Sequence, residues 1–299
     1  MINAAQDHAQ RNRGTIFVED GEILSREALA GDQFVQRIRA PKTAANAKAG
    51  SFVHITCDPM LPMRRPMSIM RAQDDWIEIL YKTHGEGLTL LSEKEPGTSV
   101  SVLGPIGMPF NLDPAKPNCL LIGGGVGIPP MVYLADVMRD DDNFRPLAIL
   151  GSEIPFPFDL VESTLPFNGI EGIGGDVTST MPLLESWGVP TRLTTKQGYD
   201  GCFDGFVTDL ADKWLAGQDA ETIAATKIFT CGPTPMLKAV AELAARYGVD
   251  CEVSLEEYMA CAVGGCAGCA VLIETPEGQA MKRVCVDGPV FDAATVVWT

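Results

Sequence analysis

No stretch of this 299-residue sequence stays apolar for the roughly 20 positions that a membrane-spanning helix needs, so no transmembrane anchor is expected. The opening Met1-Ile2-Asn3-Ala4-Ala5 lacks the basic start and apolar core of a secretory signal, which predicts a cytoplasmic protein whose first dozen residues are disordered. Positive charge is scarce. Against 39 Asp and Glu stand 23 Lys and Arg, a net charge of -16 that opposes general binding to nucleic acid or to an anionic membrane surface. No repeat of solenoid period is present.

Nine cysteines are present, and in a chain of this size and compartment they do not suggest a disulfide framework. Cys57, Cys119, Cys202 and Cys251 stand alone in apolar or mixed surroundings and read as buried structural thiols. The length suits two domains with an appendage.

From Thr15 to Leu112 the apolar runs are short, often alternating, and broken by Gly, Pro and Asp, as in Phe52-Val53-His54-Ile55-Thr56 and Trp76-Ile77-Glu78-Ile79-Leu80-Tyr81. That texture predicts a small antiparallel β barrel. Asp113-Pro114-Ala115-Lys116-Pro117 reads as a linker, because closely spaced prolines suit neither strand nor helix. Beyond it, apolar strands alternate with helical stretches. Strands are expected at Cys119–Ile122, Leu147–Leu150, Thr191–Thr194 and Ile228–Thr230, and helices at Pro130–Met138, Val207–Leu215 and Pro235–Tyr247. A doubly wound, mostly parallel α/β sheet follows. Residues 156–188 mix Pro-Phe pairs, a Gly-rich stretch at Gly169–Gly175 and a short helical piece near Leu183, and stay mostly unassigned. The expected domains are 1–113, 114–250 and 251–299.

The most specific pattern is Cys261-x4-Cys266-x2-Cys269 with a solitary Cys285, the spacing of plant-type 2Fe-2S ferredoxins. Gly264, Gly265 and Gly268 let a backbone curl round a cluster and turn its amides toward sulfur. Structural zinc is the alternative, but it usually takes two close cysteine pairs. Ser254-Leu255-Glu256-Glu257 has capping-box form and predicts a short helix leading to Cys261. A second pattern is Gly123-Gly124-Gly125-Val126-Gly127 between strand and helix. Ile128 occupies the third glycine's place of the dinucleotide fingerprint, yet bare backbone there still lets a pyrophosphate approach a helix N-terminus. A third, Cys231-Gly232-Pro233, closes a strand at the carboxyl edge of the same sheet, where Cys231 is either a ligand-site thiol or a plain buried one.

With these motifs the chain resembles the ferredoxin-reductase-like superfamily, and within it the electron-transfer subunits of NAD-dependent dihydroorotate dehydrogenases, from about Gly14 to Phe291. Arg65-Pro66-Met67-Ser68-Ile69 looks like the flavin motif R-P-x-S-I. Gly205-Phe206-Val207-Thr208-Asp209, Cys231-Gly232-Pro233-Thr234-Pro235-Met236 and the cysteine-bearing end add to the likeness. The resemblance implies FAD in a cleft of the barrel, with Arg65 and Ser68 near it and Leu80-Tyr81-Lys82 beside it. The family's G-x-G-T loop stands here as Gly85-Glu86-Gly87-Leu88-Thr89, so the threonine comes one place late and the amides of Gly87 and Leu88 are expected to serve. NAD is implied at the Gly123 loop and Cys231, although Thr194-Thr195-Lys196 stands where many members carry acidic residues, and Pro166 to Val189 is longer than the usual connection. An FMN-containing dihydroorotate dehydrogenase catalytic subunit is the implied partner, in a heterotetramer, meeting the chain near Cys261–Cys269 and Pro289-Val290-Phe291. A reductase subunit of a hydrogenase, sulfide dehydrogenase or transhydrogenase, or a zinc-stabilised binding protein, is the rival reading.

Overall fold

The computed structural model describes residues 14–167 and 175–298. Six antiparallel strands close a barrel: β1 (Phe17–Leu29), β2 (Gln33–Arg39), β3 (Phe52–Thr56), β4 (Arg65–Gln73), β5 (Trp76–Lys82) and β6 (Ser99–Ile106). They neighbour one another in the order β1-β2-β5-β4-β3-β6. Alternation is the cause. Val53 and Ile55 of β3, Met67 and Ile69 of β4, and Ile77 and Ile79 of β5 are buried and join one apolar core. Helix α1 (Pro41–Asn46) follows β2, and α2 (Gly85–Ser92) follows β5.

The second layer is a seven-stranded sheet whose strands are apolar on both faces because helices cover both. Its members are β7 (Asn118–Gly124), β8 (Arg145–Gly151), β11 (Thr191–Thr195), β12 (Phe203–Asp204), β13 (Thr226–Cys231), β14 (Asp250–Ser254) and β17 (Val290–Asp292). The order is β12-β11-β8-β7-β13-β14-β17, parallel except for the β14–β17 pair. Strand order reverses between β7 and β13, and that reversal opens a crevice at their carboxyl ends. Helix α3 (Ile128–Met138) is apolar nearly all round because it packs on β4 of the barrel as well as on β7, β8 and β13, so barrel and sheet share one core. Residues 156–188 supply a two-stranded ladder, β9 (Val161–Glu162) with β10 (Ser179–Thr180), and α4 (Pro182–Ser186). Two expectations, the disorder of the first dozen residues and most of the Gly169–Gly175 stretch, lie outside the described residues.

Helix α5 (Val207–Ala216) begins where the Asp209 carboxylate accepts the Phe206 N–H at 2.8 Å. Helices α6 (Ala220–Ala224) and α7 (Thr234–Tyr247) follow, and α7 ends on left-handed Gly248 (φ 67°). A hairpin of β15 (Ala270–Thr275) and β16 (Gly278–Arg283) closes the chain together with β17. The helix expected after Ser254 is absent. Ser254 is held in the ladder opposite Val290, and the Leu255 amide donates to the Pro289 carbonyl at 2.9 Å, so tertiary pairing overrides the local capping signal and leaves 255–259 without regular structure. Among the described residues no helix is long and apolar enough to cross a membrane.

Candidate redox and nucleotide sites

The β4 motif divides by strand alternation. Met67 and Ile69 point into the barrel core, whereas Arg65, Pro66 and Ser68 remain half-buried. Leu80 and Tyr81 of β5 are enclosed, with the Tyr81 ring stacked on Phe34 at 5.9 Å, and Lys82 is exposed. Beside β4 lies the N-terminus of α2, where His84 provides no side-chain cap and the first-turn amides, those of Gly87 and Leu88 included, have no capping acceptor. The Arg65 guanidinium covers Gly87 so closely that a Cβ there would stand 3.2 Å from its Nη2. Free amides and a guanidinium at one helix start make a cradle for a diphosphate. Thr89 is otherwise engaged: its hydroxyl donates to the Gly85 carbonyl at 3.1 Å.

The crevice at the strand reversal brings the next two motifs together. Gly123 pairs with Cys231 across β7 and β13. Gly124 ends β7, left-handed Gly125 (φ 55°) turns the chain, and a 3-10 turn to Gly127 leads into α3. Glycine is required at Gly127, where a Cβ would overlap the Cys231 carbonyl, whereas Gly125 has open space on the crevice side. Gly232 follows Cys231, and Pro233 opens α7. The Cys231 thiol is fully buried, which raises its pKa well above the usual thiol range, and the nearby Glu256 carboxylate raises it further. Its Sγ lies 3.9 Å from Glu256 Oε1. Glu256 keeps an exposed edge to the cleft, yet the protein crowded round its carboxyl raises it to about 7, offset in part by the Cys231 contact. This carboxyl escaped the sequence reading because it was assigned to a helix cap. Thr194 and Thr195 are buried, and Thr195 Oγ1 accepts the Gln197 N–H, so neither side chain faces a ligand. Lys196 lies over the Phe206 ring, 4.8 Å from its centroid.

The cysteine loop is folded by backbone. Left-handed Ala262 (φ 55°), Gly264 (φ 79°) and Ala267 (φ 54°) curl it, and two amides turn onto sulfur: Cys266 N–H donates to Cys261 Sγ and Gly268 N–H to Cys266 Sγ, each at 3.4 Å. The solitary Cys285 arrives by hairpin register. Ala270 pairs with Arg283, and Val284 N–H donates to the Cys269 carbonyl at 3.0 Å, so the Cys269 and Cys285 sulfurs meet at 3.4 Å. Burial pushes the Cys285 thiol up to about 12, with Cys269 adding to it. At Cys261 burial also acts upward, but the amides of Val263, Cys266 and Gly265 prevail and hold the thiol near 7. Among the described residues no three His, Cys, Asp or Glu gather round a single-ion position. Four thiols spread along an amide-lined loop fit a binuclear cluster, whose irons are each held by a separate pair. Val290 and Phe291 are half-buried and pack on the two apolar cores, while Cys266 is exposed.

Residues 256–297 match the family profile described as the iron-sulfur cluster binding domain of dihydroorotate dehydrogenase B. The dihydroorotate dehydrogenase B (NAD(+)) electron-transfer subunit of Bacillus cereus is 35% identical over 297 residues, covering 96% of this chain and 99% of that protein. The chain belongs to this family. The electron-transfer subunit of Caldanaerobacter subterraneus is 33% identical over 83% of the chain and 87% of its own length. Among solved structures, an NADH-dependent reduced ferredoxin-NADP oxidoreductase studied for flavin-based electron bifurcation superposes with a TM-score of 0.74 at 25% identity, covering 94% of this chain and 90% of that one. Phthalate dioxygenase reductase shares the fold, with a TM-score of 0.55 over 90% of this chain and 88% of its own. As an electron-transfer subunit the chain works with a catalytic partner.

Proposed function

We propose that this chain takes electrons from the FMN-containing catalytic subunit of a dihydroorotate dehydrogenase, at the cysteine loop, and delivers them to NAD at the crevice between β7 and β13. FAD and a 2Fe-2S cluster supply the two-electron and one-electron chemistry when bound. The observation that carries the reading is adjacency. Phe52 of β3, one strand from the flavin motif, shares an apolar cluster with Ala262, Cys269 and Cys285, while α3, which starts at the glycine loop, packs on β4 itself.

In this reading Arg65 and the Gly87 and Leu88 amides hold the FAD diphosphate, and Ser68 and Pro66 face the isoalloxazine. Cys261, Cys266, Cys269 and Cys285 ligate the cluster as thiolates. The Gly123–Gly127 turn receives the dinucleotide pyrophosphate, with Cys231, Gly232 and Pro233 beside the nicotinamide. Glu256, raised to about 7, can hold or release a proton in the same cleft. The adenosine end extends across β8 toward the loop after β11, where an open hollow of about 620 Å³ is lined by Leu160, Glu162, Thr178, Ser179, Tyr199 and Asp200. Its carboxylates suit ribose hydroxyls and repel a 2′-phosphate, which favours NAD although Thr194 and Thr195 are not acidic. The partner docks at the cluster loop, where Tyr258 (95% exposed) and Val263 (51%) flank Cys261, in a heterotetramer of two chains of each kind.

Cofactor analysis tests the reading. The isolated chain is expected to purify with flavin, iron and acid-labile sulfide, and NADH is expected to bleach it. Stoichiometric zinc without iron, or protein without flavin, would overturn it.

A further inference from the structure

Strand β3 has two faces with different fates. Val53 and Ile55 fill the barrel core, while Phe52 packs outward on the cluster-bearing end beside Leu255, Ala262 and Cys285. His54 shares that outward face. It pairs with Pro66 of the β4 motif on one side and with Leu103 of β6 on the other, and it is 1% exposed. Neither ring nitrogen has a hydrogen bond. Buried polar groups are normally satisfied, so a doubly orphaned imidazole needs a reason.

Its surroundings supply one. The polar groups beside the ring are two carbonyls, that of Arg64 on the barrel and that of Met259 on the segment leading to Cys261, and the charged groups facing it are Arg64 and Arg65. The Arg64 guanidinium is committed elsewhere, donating to the His54 carbonyl at 3.1 Å, the Ser101 carbonyl at 2.9 Å and Ser101 Oγ at 2.9 Å. Burial, then the Arg64 charge, lowers the imidazole to about 4, so at neutral pH it carries one N–H for two acceptors. One acceptor belongs to the flavin-motif side and the other to the cluster arm.

We propose that His54 is a positioning residue, a polar strut whose single N–H ties the arm at Met259 to the barrel and thereby fixes the separation between the flavin and cluster sites. The strut rests on the placement of FAD and 2Fe-2S proposed above. An apolar filler of the same site would pack but could not tie; a short amide could do both.

The test compares wild type, His54→Leu and His54→Asn, each first assayed for flavin and iron content. Amide hydrogen exchange of residues 255–261 is expected to accelerate in His54→Leu and to return toward wild type in His54→Asn. In anaerobic rapid mixing with NADH, flavin bleaching is expected to keep its rate in all three, while cluster reduction slows by about tenfold in His54→Leu and recovers in His54→Asn. A His54→Leu protein with wild-type exchange and wild-type cluster reduction overturns the strut. A wild-type chain lacking flavin or cluster overturns the parent reading instead, and the exchange comparison still decides the strut.

Discussion

The nucleotide crevice and the cysteine arm solve opposite problems. The crevice is built on the two strands beside the sheet's reversal: every residue of β13 is buried, β7 is buried from Cys119 onward, and its glycines are set by contact with neighbours, as where Gly127 meets the Cys231 carbonyl. The arm has no regular structure between Leu255 and Cys269, keeps Cys266 exposed, and is held at its ends by β14, β17 and a hairpin. A rigid sheet presents a finished cradle to a ligand that comes and goes. A glycine-rich loop closes round a ligand that stays, and the ligand becomes part of the fold.

The largest effect expected from that contrast is at Cys266. Cys266→Ser removes a thiolate from the exposed loop, and cluster absorbance should be lost while flavin content and NADH bleaching of flavin persist; metal analysis with visible spectroscopy checks it. Loss of flavin as well would mean that the two regions are not separable.

A smaller effect is expected at Gly125, where the crevice side is open and the rest of the cradle stays intact. Gly125→Asp places a carboxylate against the pyrophosphate, and like charges so juxtaposed cost several kcal/mol, so NADH affinity should fall at least about tenfold with the cluster untouched. An unchanged concentration dependence of flavin reduction by NADH would show that the cradle lies elsewhere.

The smallest effect concerns acid. His54 sits at the junction of the two regions with a pKa lowered from 6.5 to about 4. The unfolded chain therefore takes up this proton first, and the stability contributed by the neutral imidazole is present above about pH 6.5 and is lost as pH falls through about 4, by at most roughly 3 kcal/mol. Denaturant melts of wild type and His54→Leu between these values should show a shallower fall in the variant. Parallel falls would show that His54 titrates normally.

Much of this was legible in the residues because local and global signals agreed. The apolar run Cys119–Ile122 is a central parallel strand, the alternation in Trp76–Tyr81 is a barrel wall, and the cysteine spacing describes one loop with a distant partner. What escaped detection depends on contacts between distant segments. Ser254-Leu255-Glu256-Glu257 reads as a helix start, but Val290 and Pro289 hold that segment extended, and this is what points Glu256 at Cys231. Thr194 and Thr195 look like ligand-facing substitutions in sequence, yet the sheet buries both, and Asp200 and Glu162 line the hollow beyond them. His54 is one polar residue in an apolar strand, and only the packing of the cysteine arm on the barrel gives it meaning.

The most direct test of the central claim is to mix the cofactor-replete chain with the FMN-containing catalytic subunit and follow NADH formation from dihydroorotate and NAD. The account predicts NADH formation from the complex, none from this chain alone, and none when the Cys266→Ser chain replaces wild type. A cofactor-replete complex that forms no NADH, or a Cys266→Ser complex as active as wild type, would contradict it.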